Sequence, residues 1–248
     1  MNERYFRSLA ALFRRHGLIS DITEIEIEKA KELPLVGNMV QVLVPNYVLF
    51  KDSECIDQGD DLGKLSEEIA KITNGDWKPE DIKADLDRGD NRATIKFIAK
   101  GEEISWEFEQ YGDYVSNSYF KSLERYTNQN IEGKFFEYSS MGQEFYLLYL
   151  PDHISTDFTE FQESFTPTSD ELAEFVVTVD EWAKKGFTGW YLIREVLREM
   201  NLEHINTPTE DGDYVISIVR KIADAGSGGA RELESALIDL GANRYPDE

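Results

Sequence analysis

Three stretches in the middle of the chain alternate apolar and charged or polar residues with a period of two. They cover residues 81–87, 94–99 and 103–109. Such alternation is typical of strands that bury one face against a core and expose the other to water. Turn-forming residues at 88–91 and 100–102 separate the stretches. The pattern therefore predicts an antiparallel meander of three strands with one apolar and one polar face.

Helical spacing of apolar residues appears in three segments that flank or follow this meander. Residues 3–16, 62–73 and 117–127 each place their apolar side chains three or four positions apart, which predicts amphipathic helices. We expect the third helix to cover the apolar face of the meander. The segment at 21–30 alternates isoleucine with acids and is ambiguous between a strand and a helix.

Further strands are predicted on both sides of the meander. Residues 39–50 are rich in β-branched and aromatic side chains, so we expect a strand that Pro45 divides into two pieces or confines to a sheet edge. Residues 134–138 and 143–150 predict two more strands. The second of these is apolar on both faces, so we expect it to be central.

The pattern changes after Pro151, where an acid-rich, polar run to Thr168 resembles a domain boundary. Thr168 or Ser169 is suited to cap a helix, and helical patterns continue at 214–225 and 231–240. We therefore predict an α+β protein. Residues 1–155 form a mainly antiparallel sheet covered by helices, and residues 156–248 form a helical C-terminal segment or small domain.

Composition narrows the class of protein. Of the 248 residues, 41% are hydrophobic, which is enough to build a core, yet no apolar run is long enough to cross a bilayer. Cys55 is the single cysteine, so no internal disulfide can form and we expect a cytoplasmic protein. The arginine-rich amphipathic start fits a surface helix or a transit peptide.

Charge is the strongest compositional signal. The net charge is −23, and residues 1–20, with four arginines and one glutamate, carry +3, which leaves −26 on residues 21–248. Such a surface repels nucleic acid and anionic lipid and attracts a basic protein. We therefore expect a basic protein partner, no nucleic acid and no membrane. The alternative is that the acidity serves only solubility or a salty habitat.

Motifs that carry chemistry are absent or incomplete. Carboxylates at 85, 87 and 90 are reminiscent of a calcium loop, but Lys96 takes the place of the bidentate glutamate at the twelfth position. The glycines at 226–229 lack the lysine of a phosphate-binding loop, and the three histidines lie far apart in sequence. We read Cys55 as an inert thiol. We expect no metal, no cofactor and no intrinsic catalysis.

Two groups of residues are candidates for contact with a partner. The first consists of carboxylates on the polar face of the meander and in a nearby loop: Asp85, Asp87, Glu107, Glu109, Asp57, Asp60 and Asp61. The second consists of aromatic side chains around the turn at 186–189, which anchor a partner or pack against the other domain: Trp182, Phe187, Trp190 and Tyr191.

One part of the sequence resembles small bacterial immunity proteins that are encoded beside polymorphic or contact-dependent toxins. It consists of the segment from Ile104 to Val115, which contains a Tyr-Gly-Asp-Tyr turn, the helix after it and the strand pair at 134–150. In that family a strand, a Gly-Asp turn, a helix and a strand pair recur. The resemblance covers residues 80–155 and implies a toxin-neutralising binder. It assigns no functional residue.

These observations favour a non-catalytic acidic binding protein, such as an immunity protein that neutralises a basic, nuclease-type toxin. Two alternatives remain open at this point. One is a metal-dependent hydrolase that uses Asp85, Asp87, Glu107 and Glu109 with a divalent ion. The other is a structural or scaffold protein bound through the helical C-terminal region.

Overall fold

The computed structural model describes residues 2–32, 36–139, 144–173, 176–177, 206, 208–226, 228–239 and 242. It confirms the α+β class, with helices and two three-stranded antiparallel sheets in the described part of the chain. The chain divides into two compact units. The first contains residues 1–12, 22–35 and 159–248, and the second contains residues 13–21 and 36–158.

The described part of the chain contains the following helices and strands, in chain order. The helices are α1 (Asn2–Arg15), α2 (Glu24–Glu32), α3 (Val36–Leu43), α4 (Gly59–Ile72), α5 (Asn117–Asn130), α6 (Asp152–Ser164), α7 (Val215–Asp224) and α8 (Gly228–Asp239). The strands are β1 (Val48–Asp52), β2 (Glu80–Asp87), β3 (Arg92–Ala99), β4 (Glu102–Glu109), β5 (Lys134–Ser139) and β6 (Glu144–Leu150). Among the described helices, none combines the length and the apolar character needed to cross a bilayer.

The predicted meander is present as the sheet β2–β3–β4. Both turns use left-handed backbone, at Asn91 in the first and at Lys100 and Gly101 in the second. The inner face buries Ile95 of β3 and Trp106 of β4, which are directly paired across the strands. The alternation of the sequence is therefore the alternation of buried and exposed positions.

The second sheet has the order β1–β6–β5 and is antiparallel throughout. Its middle strand is β6, as its two-sided apolar pattern predicts, and residues 145–150 are all buried. Strands β1 and β5 lie at the edges of this sheet.

The main core of the second unit lies where α4, α5 and one face of β6 meet the inner face of the meander. Aromatic rings dominate it. Trp106 contacts Phe97 edge-on at 5.0 Å between ring centroids, and Tyr126 contacts Phe97 at 5.5 Å. Helix α5 thus covers the apolar face of the meander, as expected. Its fully buried Tyr119 hydroxyl bonds to Ser66 of α4 at 3.1 Å.

The strand predicted at 39–50 is wrong over its first half. Residues 39–43 belong to helix α3, Pro45–Tyr47 form a 3-10 turn, and only Val48–Asp52 is a strand. The physical reason is packing: Gly37 lies against Tyr146 of β6, where a Cβ would be 2.5 Å from the ring. A helix can press onto the sheet there and bury Met39 completely, which outweighs the β propensity of the segment.

The polar run at 151–168, where the sequence predicts a domain boundary, contains a helix that the sequence did not predict, α6 at residues 152–164. Two apolar residues of this segment, Ile154 and Phe158, are four positions apart and both are buried. Phe158 stacks on Phe13 and contacts Phe136 edge-on. The abundant polar residues of the run occupy the remaining surface of the helix.

The first unit is held by an aromatic group and an ion pair. Tyr5 lies 5.1 Å from Phe161 and 4.8 Å from Phe165, between ring centroids. Arg4 donates two hydrogen bonds to Glu171, at 2.9 and 2.8 Å. Burial by itself would raise the pKa of Glu171, but the bonds from Arg4 and from the Thr168 backbone lower it overall.

The helix start predicted at Thr168 is confirmed. Its hydroxyl accepts a hydrogen bond from the Glu171 backbone, while Glu171 accepts one from the Thr168 backbone at 2.8 Å. This reciprocal pair is a capping box. The ambiguous segment at 21–30 contains a helix, α2, which begins at Glu24. Arg220 of α7 and Glu234 of α8 form an ion pair at 2.8 Å.

Candidate binding surface

The outer face of the meander brings together the four carboxylates that the sequence singles out. Asp85 is paired with Thr94, and Thr94 with Glu107. These three side chains form one row, because directly paired residues point to the same face. The next row contains Asp87 and Glu109. We call these four carboxylates the carboxylate face; all four residues are exposed.

Arg92 lies between the two acids of the second row. It is paired with Asp87 on one side and with Glu109 on the other, and its side chain contacts Glu107 at 3.2 Å. Within the described part of the chain, Asp85 and Glu109 have no side-chain ion pair. The carboxylate face therefore carries more negative charge than its one neighbouring arginine balances.

Cations on the same sheet face are displaced from the acids. Lys83 and Lys96 are directly paired, in the row next to Asp85, and both are exposed. Two like charges opposite each other repel. The outer face is thus polarised, with lysines toward its middle and carboxylates toward the end that carries the first hairpin turn.

Arg88, at that hairpin turn, joins three segments of chain. It donates hydrogen bonds to the carbonyl oxygens of Ile56 at 3.1 Å, Asp57 at 2.7 Å and Gly112 at 3.3 Å. Sequence reasoning missed this residue, because nothing local distinguishes it from a solvated turn arginine. Its donors are engaged by backbone carbonyls, so it positions the loops rather than pairing with the carboxylate face.

The loop acids Asp57, Asp60 and Asp61 lie next to this end of the sheet. At Gly59 a Cβ would lie 2.7 Å from the Ala84 carbonyl and 2.9 Å from the Asp85 Cα. The start of α4 is therefore pressed against β2, beside the carboxylate face. Asp57 and Asp60 are exposed there.

Asp61 stabilises the start of α4 through hydrogen bonds. Its carboxylate accepts hydrogen bonds from Lys64 at 3.0 Å and from the backbone of Gln58 at 3.0 Å. The bond from Lys64, followed by the backbone bonds, lowers the pKa of Asp61. Together with the Gln58 side chain it forms the capping box that begins α4. Of the three loop acids, Asp57 and Asp60 are the more exposed to solvent.

Two tyrosines that sequence reasoning did not single out stand beside the carboxylate face. Tyr111 is 60% exposed and Tyr114 is 46% exposed, whereas Tyr119 and Tyr149 are fully buried. They belong to the loop at 110–116, which follows Glu109 directly. The only signal in the sequence was the Tyr-Gly-Asp-Tyr turn itself, which is part of the family resemblance.

Cys55 is half-buried and packs against the core of the second unit. Burial raises the pKa of its thiol, and a thiolate is the form needed for nucleophilic attack. This environment favours the inert role expected for Cys55.

The structure brings together two histidines that are remote in sequence. The rings of His16 and His153 lie 5.7 Å apart between centroids. His16 Nε2 bonds to Asp157 at 2.9 Å, and Arg15 contacts the same carboxylate oxygen at 2.8 Å. These two contacts link the end of α1 to Asp157 of α6. In the described ranges, no three His, Cys, Asp or Glu side chains are arranged to hold a metal ion.

The second predicted group, Trp182, Phe187, Trp190 and Tyr191, lies outside the described residues. No family model, curated protein or solved structure matches this chain.

Proposed function

We propose that this protein binds a basic protein partner through the carboxylate face and the loops beside it, and performs no chemistry of its own. In line with the sequence resemblance, the partner class that we propose is a nuclease-type toxin. Such an enzyme needs a positive surface to hold phosphate, and an inhibitor that presents carboxylates to that surface competes with nucleic acid for it.

The observation that carries the proposal is that Asp85 and Glu109, on an open sheet face, have no side-chain ion pair within the described part of the chain. Both residues are exposed. Surface acids are often neutralised by neighbouring cations, but here Lys83 and Lys96 are displaced along the sheet and Arg88 is engaged by carbonyls. A carboxylate that keeps its charge contributes to attraction over a distance of about 10 Å at 0.1 M salt.

The rigidity of the surface supports the same proposal. A sheet face and loops fixed by Arg88 lose little conformational freedom on binding, so more of the interaction energy appears as affinity. The net charge of −26 over residues 21–248 adds long-range steering. We therefore expect fast association that depends steeply on salt.

The experiment is a co-expression assay followed by kinetics. The gene directly upstream of this one is expressed alone and together with this chain, and growth is recorded. The proposal expects the neighbour's product to be toxic alone and harmless with this chain. Either of two results would overturn the electrostatic proposal. The first is that the toxin binds this chain but has an acidic surface. The second is that the association rate does not change between about 50 and 500 mM salt.

A matched pair of variants localises the effect. Asp85→Asn with Glu109→Gln removes two charges from the carboxylate face, and Glu67→Gln with Glu124→Gln removes two charges from exposed positions on α4 and α5. The total charge change is identical. The first variant should slow association more than the second, while dissociation changes less, because charges at an interface rim act mainly on the association rate.

A further inference from the structure

The loop at 110–116 is fixed from within by a buried amide. Gln110 is 2% exposed. Its side-chain amide donates to the carbonyl oxygens of Gly112 and Tyr114, and its side-chain oxygen accepts a bond from the Ser116 backbone at 3.2 Å. The loop therefore has a defined conformation, with Gly112 in the left-handed region at φ +60°.

The loop is also fixed from outside by backbone hydrogen bonds. Its ends bond to neighbouring segments through Gln110 N to Asn91 O at 2.9 Å and Val115 N to Ser53 O at 2.8 Å. In the middle, the Asp113 carbonyl accepts a bond from the Ile56 backbone at 2.9 Å. Tyr111 and Tyr114 are thus exposed on a preorganised scaffold, which is what an aromatic binding anchor requires.

Three carboxylates lie close to these tyrosines in sequence or bond to them. Glu109 precedes the loop, Asp113 lies between the tyrosines, and the Tyr114 hydroxyl donates a hydrogen bond to Glu54. Aromatic faces next to carboxylates suit a guanidinium better than an ammonium. A guanidinium is planar and weakly hydrated, stacks on rings and bonds carboxylates in a bidentate manner, whereas an ammonium keeps its water.

We infer that the loop at 110–116 is the short-range anchor of the binding surface and that it receives an arginine side chain of the basic partner, in contact with Tyr111. This inference rests on the proposed function, in which the carboxylate face supplies long-range attraction for any cation. The loop adds a preference for arginine over lysine.

The test uses two fluorescently labelled peptides, deca-arginine and deca-lysine, and measures their dissociation constants for the full chain by fluorescence anisotropy at fixed salt. The wild type should bind deca-arginine more tightly. Tyr111→Ala should reduce the arginine-to-lysine affinity ratio by about two- to fivefold, while the affinity for deca-lysine stays the same. Tyr111 is 60% exposed, so its replacement leaves the core intact.

Tyr111→Phe is the matched control, because it keeps the ring and removes the hydroxyl, and it should retain the wild-type ratio. Equal binding of the two peptides by the wild type, or a ratio that Tyr111→Ala leaves unchanged, would overturn the inference alone. Two other results would overturn the proposed function instead. One is that neither peptide binds. The other is that the Asp85→Asn/Glu109→Gln variant and the Glu67→Gln/Glu124→Gln variant weaken peptide binding equally.

Discussion

Gly133 lies directly against the side chain of Tyr149. A Cβ at Gly133 would be 2.1 Å from the Tyr149 hydroxyl oxygen and 2.2 Å from the ring carbon that bears it. The same hydroxyl donates a hydrogen bond of 2.6 Å to Asp76. The tyrosine is thus held between the approach to β5 and the segment that follows α4, and no side chain fits at residue 133.

Gly133→Ala should therefore destabilise the protein by about 1–3 kcal/mol, because the methyl group must displace a buried ring. Urea unfolding followed by circular dichroism measures this change. Gly63→Ala is the matched control: its Cβ would meet only Ile82, at an ordinary 3.7 Å. Since Gly63 lies inside α4, that substitution should stabilise by about 0.5–1 kcal/mol. Equal effects of the two substitutions would contradict the close approach at Gly133.

Two buried tyrosines should make the fold sensitive to alkali. Burial raises the pKa of Tyr119, and burial followed by the hydrogen bond to Asp76 raises the pKa of Tyr149. A raised pKa in the folded state means that the stabilisation is fully present below the unfolded pKa of about 10 and is lost as pH rises above it. The free energy of unfolding should fall above pH 10.

Tyrosinate absorbance at 295 nm, recorded with circular dichroism, measures this effect. Tyr119 and Tyr149 should ionise only as the protein unfolds. Tyr149→Phe should reduce the slope of stability against pH in this range. Ionisation of Tyr119 and Tyr149 before any loss of structure would show that burial does not protect them.

Asp61→Ala should destabilise α4 by about 1 kcal/mol, because it removes a capping carboxylate and its bonds to the Gln58 and Asp57 backbone. The pKa of Asp61 is lowered, so its contribution is present above the unfolded pKa of about 3.9 and is lost as pH falls. Urea unfolding at pH 7 and pH 3 measures both. Asp60→Ala, one position earlier and exposed, should change stability by less than half as much.

Arg88→Ala should loosen the loops at 55–58 and 110–116 together, because it removes three hydrogen bonds to carbonyls of these two segments. We expect a loss of about 1–2 kcal/mol. Amide hydrogen exchange at Ile56 and Val115 should accelerate, while exchange in β6 should not. Arg88→Lys should fail to restore protection from exchange, since an ammonium group cannot replace a planar guanidinium that donates to several carbonyl oxygens. Restoration by lysine would mean that charge alone matters.

The predictable parts of the fold are those in which the alternation of apolar and polar residues along the chain determines the structure. In β2, β3 and β4 every second side chain is buried or partly buried, so the sequence of residues 81–109 itself indicates their structure. Helix α3 was mispredicted because its β-branched composition favours a strand, and only the space beside Gly37 against Tyr146 decides otherwise. Helix α6 was missed because its few apolar residues, Ile154, Phe158 and Phe161, are separated by many polar ones.

The binding surface shows the same division. Alternation places Asp85 and Glu107 on one face, so their proximity was predictable from strand pairing. The role of Arg88 was not, because its partners Ile56 and Gly112 are more than twenty residues away. Nor was the exposure of Tyr111 predictable, because Tyr111 lies beyond the end of β4, where strand alternation no longer applies and the packing of the loop determines exposure.

The pairing of β1 with β6 has a consequence for synthesis on the ribosome. Val48 of β1 pairs with Leu148 of β6, so about 100 residues must be translated before the first strand meets its partner. The β2–β3–β4 hairpins and α4 need only nearby residues and can form earlier. A nascent chain halted before residue 144 would present β1 with its backbone unpaired, and such a strand is a template for aggregation. Chaperone demand should therefore be greatest in that interval of translation.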